Sequence, residues 1–496
     1  MNKIRLLVLL IFIAYQPVSA QKSKNIGKTK IKEFAEYVNS LEKHDSDLQN
    51  AVWSVAVADA KSGEFLFEYN SQYSVLPASN MKIVTTGVGL LLLGADYSFK
   101  TELEYTGNII DSVLVGDIYV TGGGDPSLGS HIYQNTVPDS VFLKWSQAVK
   151  NLGIKRIAGR IIADTRFFDD ENRPGSWEFD DIGTDYGAGI SGIQFMDNVC
   201  KLYIESASTT AKQPNIIRIE PYIPEISWEN YLTSTDSINA TGVSLYSSPY
   251  SSRALLFGKI LTNSHSKTIT AAIPNPAYTC VWYFNKYLNQ NGISTSNRIE
   301  VLDRKTPDLD RKTKQVFYTH NSPAYTEIIN ETNKSSNNSF AETIIKTIGA
   351  ELVGDGTLNE GRKLIAQKLK DLNVITDGFQ QSDGSGLSRH NYVTTKFLCE
   401  YLSTMYNSSE YEHFVQSLPI AGIDGTMKNM LKKTAAEGNV KAKSGSLSGV
   451  RSYSGYVTTK KGKDLCFSFV FNNFTCKSAV ITQKIEKLMI LLAEEE

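Results

Sequence analysis

Histidine and cysteine are scarce in this chain of 496 residues, which has six of the first and five of the second. His44, His131, His265, His320, His390 and His413 include no pair at the three-to-five-residue spacing of zinc sites, so a metal mechanism has no visible ligands and no cofactor is expected. Cys200, Cys280, Cys399, Cys466 and Cys476 are odd in number, so in an oxidising compartment at least one stays unpaired or bonds another chain. Surplus charge is lacking too. A formal net charge of −1 leaves no basic excess for phosphate backbones, which excludes nucleic acid as the expected partner. Internal repeats and low-complexity tracts are absent. With 41% hydrophobic and 21% charged residues, disordered and fibrous classes drop out.

No segment after the first twenty residues is apolar and long enough to span a bilayer. Lys3 and Arg5, the apolar stretch Leu6 to Ala14 and the small residues Val18-Ser19-Ala20 have the order of a secretory signal, residues 1–20. The stretch falls short of the ~20 apolar residues that cross a bilayer, which weighs against a membrane anchor. Cleavage would remove Lys3 and Arg5 and no acidic residue, moving the formal charge from −1 to −3. The mature protein is therefore expected to be secreted across the inner membrane, periplasmic, and at most peripherally associated with a membrane. Its length implies two to four domains at roughly 100–200 residues each.

Periodicity divides the chain into three textures. Residues 28–45 have helical character, Trp53 to Asp59 alternates as a strand, and Glu64 to Tyr69 returns after a turn at Lys61-Ser62-Gly63. The apolar run from Ser79 to Leu93 predicts a buried helix that stops at Gly94. From about residue 97 to 315, short alternating runs such as Thr101–Tyr105, Ser112–Thr121 and Arg156–Ala163 indicate a β-rich insertion. Within it, Gly122-Gly123-Gly124-Asp125-Pro126 lacks the ending of a phosphate loop and predicts a tight turn. Helical periodicity resumes at Asn338–Leu352, followed by strands at Arg451–Thr458 and Leu465–Asn472. The chain closes on an apolar stripe, Ile481, Ile485, Leu488 and Leu492, expected to dock on a sheet.

Three short patterns can carry chemistry. Ser79 and Lys82 lie three residues apart at a helix start, so the amine can take the hydroxyl proton. An ordinary lysine pKa of ~10.4 leaves the amine protonated at neutral pH, so burial and a second cation must lower it by about 3 units. Ser336-Asn337-Asn338 sits at a loop-to-helix junction, where Ser336 can relay a proton and Asn338 can hold both a lysine and a substrate amide. Lys443-Ser444-Gly445-Ser446 precedes a strand-like run. On an edge strand Lys443 and Ser444 can meet a carboxylate, Gly445 permits close backbone approach, and the Ser446 N–H paired with that of Ser79 can form an oxyanion hole. Each pattern alone also suits an ordinary cap or turn.

Together they stand as S-x-x-K, S-x-N and K-S-G, in the chain order of the penicillin-recognising serine enzymes. With Leu76 to Lys82, Tyr119 to Pro126, Asp383-Gly384-Ser385-Gly386-Leu387-Ser388-Arg389 and Ile420 to Met427, the chain resembles the class C low-molecular-mass penicillin-binding proteins, the D-alanyl-D-alanine carboxypeptidase/endopeptidase family. Two positions depart from that family's usual pattern: Ser444 stands where threonine is usual, and Asn337 where aspartate is common. The resemblance implies a mixed α/β (α+β) transpeptidase-like fold with a central antiparallel sheet. It also explains the 253 residues between Lys82 and Ser336 as a mainly β insertion. The catalytic domain would be residues 21–96 and 316–496, and the insertion 97–315 would form two subdomains.

The implied activity is that of a serine carboxypeptidase, and also an endopeptidase, acting on peptidoglycan stem peptides ending in D-Ala-D-Ala or on their cross-links. Catalysis would pass through a Ser79 acyl-enzyme, with Lys82, Ser336 and Asn338 as its catalytic partners and β-lactams as inhibitors. The alternatives are a β-lactamase or esterase on the same scaffold, or a catalytically weak peptidoglycan-binding protein. Asp383, Ser385, Gly386 and Ser388 either border the cleft or form a structural turn, and Trp177, Asp180 and Asp181 receive no chemistry.

Overall fold

Strand alternation in the first and last parts of the chain separates large side chains from small ones, and that separation builds the central layer. The computed structural model describes residues 31–224, 226–249, 251–265, 267–307 and 313–496; the expected signal segment lies outside them. Strands β1 (Val52–Asp59), β2 (Phe65–Tyr69), β3 (Lys441–Leu447), β4 (Val450–Thr458) and β5 (Asp464–Asn472) form one antiparallel sheet in the order β3-β4-β5-β1-β2. One face carries Trp53, Val55, Val57, Phe467, Phe469 and Phe471, which pack against α1 (Lys32–His44) and α6 (Ser478–Glu494). The stripe Ile481, Ile485, Leu488 and Leu492 is fully buried there. The opposite face carries Ser54, Ala56, Ala58, Ser452, Ser454, Cys466 and Ser468, all buried. These short side chains let helices come close.

On that small-residue side α5 (Thr395–Tyr406) packs on the sheet, and α2 (Met81–Leu93), α3 (Tyr325–Lys334) and α4 (Asn338–Val353) share its core. The helix expected to open at Ser79 begins as a 3-10 turn, Ala78–Asn80, and becomes α-helical at Met81; no side chain caps it, and it ends at Gly94 as expected. Every residue from Met81 to Leu90 is buried.

Two helices, Pro138–Asn151 and Pro276–Gln290, lie in the stretch that reads as β-rich. Their apolar faces share a core with a sheet that contains Lys100–Tyr105, Ile118–Gly122 and Ile161–Asp164. The expected runs at 112–121 and 156–163 each break into two strands, Val113–Val115 with Ile118–Gly122 and Arg156–Ile157 with Ile161–Asp164. Further along, two three-stranded sheets enclose a smaller core around Leu202, Ile204, Leu232, Leu256 and Ile260. At the glycine-rich segment, the carboxylate of Asp125 accepts from the backbone and hydroxyl of Ser127 and closes a turn. All five cysteines are free thiols, and four are buried. Among the described residues no helix is long and apolar enough to cross a membrane.

Candidate active site

The 3-10 turn leaves Ser79 half-buried at the mouth of α2 and puts Lys82 inside the core, fully buried. The Lys82 amine donates to Ser79 Oγ at 3.0 Å, to Asn338 Oδ1 at 2.6 Å and to the carbonyl of Ser385 at 2.8 Å. Burial pulls its pKa down to about 7, against the opposite pull of the Asp383 and Glu342 carboxylates. The sequence anticipates a second cation as a cause. Lys443 is the neighbouring cation, and burial first, then repulsion from Lys82, press it well below the usual lysine range.

Ser336 adopts a left-handed backbone, with φ of 61°. A reversal of this kind in a residue with a Cβ costs about 1–3 kcal/mol and is held by its surroundings. Here Asn337 caps α4 by accepting from the Phe340 N–H, Asn338 becomes the first helical residue, and its amide points at Lys82. The other end of that amide donates to the Tyr186 carbonyl at 2.8 Å. Ser336 Oγ accepts from Lys443 Nζ at 3.0 Å, which links the second pattern to the third.

Strand β3 is the sheet edge, as the third pattern requires. Lys443 is nevertheless fully buried, its amine on Ser336 Oγ and on the Ser444 carbonyl. Ser444 Oγ is hydrogen-bonded to Thr426 Oγ1 at 2.7 Å, and Ser446 is exposed. Thr426 belongs to the Ile420–Met427 segment, anchored by the ion pair of Asp424 with Lys334. Gly445 has a steric reason to be glycine. A Cβ there would stand 2.2 Å from Ser452 Oγ, 2.6 Å from the Pro77 carbonyl and 3.0 Å from the Ser79 nitrogen, so only a bare backbone lets the strand lie against the serine turn.

The loop Asp383 to Ser388, open between cleft border and turn in the sequence, lies under Lys82 with its polar groups spoken for. Asp383 accepts from the N–H groups of Gly386 and Ser388, the Asn391 amide and the Trp177 indole. Glu342 accepts from the N–H groups of Gly384 and Ser385. Burial, and then the Asp383 charge, push Glu342 up to about 8. Gly386 has φ of 85°, and a Cβ on it would meet the Ala78 carbonyl at 1.8 Å. Ser79, Lys82, Ser336, Asn338, Lys443, Ser444 and Gly445 thus share one linked set of contacts. Sequence reasoning assigned no role to Glu342, to the Ser385 and Tyr186 carbonyls or to Thr426. The glycine-serine loop, which holds Ser385, and the segment Ile420 to Met427, which holds Thr426, are the signals that point at part of this set.

This arrangement can carry acyl transfer: a hydroxyl beside a buried, readily deprotonated amine, at the edge of a sheet. Comparison with known proteins agrees. A model of the D-Ala-D-Ala carboxypeptidase 3 (S13) family matches residues 36–495. A D-alanyl-D-alanine carboxypeptidase of Actinomadura sp. (strain R39) is 29% identical over 468 residues, 91% of this chain and 82% of that protein. Penicillin-sensitive carboxypeptidase A of Dictyostelium discoideum is 28% identical over 475 residues, 89% of this chain and 87% of that one. In fold, the chain is similar to penicillin binding protein 4 (dacB) from Haemophilus influenzae, with a TM-score of 0.79 at 21% identity over 93% of this chain and 99% of that chain.

Proposed function

The chain belongs to the D-Ala-D-Ala carboxypeptidase 3 (S13) family of serine hydrolases, and from that premise we propose which residues act and on what. The observation that carries the assignment is the buried Lys82 amine, 3.0 Å from Ser79 Oγ. Ser79 attacks the carbonyl between the last two D-alanines of a peptidoglycan stem peptide, and Lys82 takes the hydroxyl proton. The Ser79 and Ser446 N–H groups receive the developing oxyanion. Collapse breaks the C–N bond, Ser336 passes a proton to the leaving amine, and water then hydrolyses the acyl-enzyme. Asn338 orients Lys82 and the substrate amide. Lys443 and Ser444 meet the terminal carboxylate, whose approach restores the charge that burial disfavours on Lys443.

A cross-linked peptide presents the same carbonyl with a different leaving amine, so endopeptidase cleavage belongs to the same reading. β-Lactams offer a carbonyl of similar shape and acylate Ser79. The enzyme works in the periplasm after export directed by residues 1–20, with a catalytic unit of residues 21–96 and 316–496 interrupted by 97–315.

The test is intact-mass analysis of residues 21–496 after brief exposure to penicillin, beside Ser79→Ala. One penicilloyl adduct on the native protein and none on the variant is expected. No adduct on a folded protein with the penicillin intact would sink the assignment, and penicillin hydrolysed without an adduct would make it a β-lactamase.

A further inference from the structure

Away from the cleft, strands Ser227–Thr235, Gly242–Tyr246 and Arg253–Leu261 form one of the two small sheets. Their alternation buries Leu232, Leu245, Ala254, Leu256 and Ile260. The same alternation turns Tyr231, Tyr246 and Phe257 to the other face, where the rings touch. Tyr231 is paired in register with Phe257 and stacks on it, with centroids 4.9 Å apart and planes 8° apart. Phe257 meets Tyr246 at 5.9 Å, and Tyr246 stacks on Phe179 at 5.4 Å and 15°. Single exposed aromatics need no explanation, but a contiguous exposed row marks a binding surface. Phe179 is 66% exposed, Tyr231 52% and Phe257 40%.

The segment that carries Phe179 also borders the active site. Phe179 follows two residues after Trp177, whose indole reaches Asp383 beneath Lys82, and precedes Tyr186, whose carbonyl holds Asn338. Polar groups flank the rings as well. The Tyr231 hydroxyl donates to Glu229 at 3.1 Å, and Glu229 pairs with Arg253.

We propose that Phe179, Tyr246, Phe257 and Tyr231 form a platform for the glycan strand to which the stem peptide is attached; this rests on the cell-wall peptidase reading above. The exposed parts of these rings offer apolar surface to the C–H faces of pyranose sugars, and Glu229 and Arg253 match their hydroxyl and N-acetyl groups. An anionic lipid surface is a poor fit, because Glu178, Asp180, Asp181 and Glu229 lie on the row's own segments.

The test compares the native protein with Tyr231→Ala/Phe257→Ala, using calorimetric titration with peptide-stripped cell-wall glycan strands and D-alanine release from two substrates. The native protein should bind the strands and the variant at least about tenfold more weakly, the size expected for losing two stacked rings. D-alanine release from a soluble pentapeptide should be equal in both, whereas on intact cell wall the variant's KM should rise with kcat unchanged. Absence of strand binding by the native protein, or equal binding by both, overturns the platform. Failure of both to process the soluble pentapeptide instead overturns the peptidase reading, and the titration still decides the platform. Phe179→Ala, outside the sheet, replaces the double variant should that variant not fold.

Discussion

Lys82 is useful as a base only because the fold removes it from water, which makes its pH dependence a direct readout of burial. Its pKa in the folded protein, about 7, lies below that of the free side chain. The neutral amine is therefore present above about 7 and is lost as pH falls through it. The rate constant for β-lactam acylation should fall roughly tenfold per pH unit below about 6 and level off above about 8. Stopped-flow acylation across that range checks this, and a flat profile would remove Lys82 as the base. Gly445→Ala tests the strand's approach to the nucleophile. The added methyl overlaps Ser452 Oγ and the Pro77 carbonyl. It should destabilise by about 1–3 kcal/mol in urea unfolding, and it should slow acylation far more than that loss accounts for, since the displaced atoms belong to the serine turn.

Between elements, the decisive connection is the loop 383–388 slung between α4 and the base of α2. Glu342→Ala leaves the Gly384 and Ser385 N–H groups buried without acceptors, at about 1–3 kcal/mol each. The Ser385 carbonyl then loses its fixed position against Lys82. Both a lower unfolding midpoint and slower acylation of the folded fraction are expected; unchanged acylation would show that the loop does not position the amine. The sequence offered little warning of Glu342. A carboxylate in a helix ordinarily faces water, but α4 is buried on all sides from Ser339 to Gly349, and Glu342 with it. Ser79, Lys82 and Asn338 were legible because neighbours in the chain fix their geometry: three residues along a helical turn, or the first residue after a cap. The Tyr186 and Ser385 carbonyls are backbone groups, which carry no residue-type signal at all.

At the scale of the molecule, the sheet divides labour between its faces. The aromatic face with α1 and α6 stabilises, and the small-residue face with α2 holds the chemistry. Leu488→Ala should therefore cost about 2–5 kcal/mol in urea unfolding while leaving acylation per folded molecule unchanged. A loss of acylation in the folded variant would mean that the two faces are coupled through the sheet.

By itself the sequence determined the strands and helices around the three patterns, because strand and helix periodicities are local. It also determined the chemical types at the three patterns and, through their order and spacing, the family. It missed the helices Pro138–Asn151 and Pro276–Gln290, whose stretch is surrounded by short alternating strands that dominate its texture. Tertiary structure alone decided that the Lys82 amine meets Asn338 and the Ser385 carbonyl, that Lys443 is buried behind Ser336, and that Trp177 from the insertion braces Asp383. The physical reason is common to all three. Desolvation and long-range hydrogen bonds depend on what the rest of the chain brings alongside a residue, and no window of neighbouring residues contains that information.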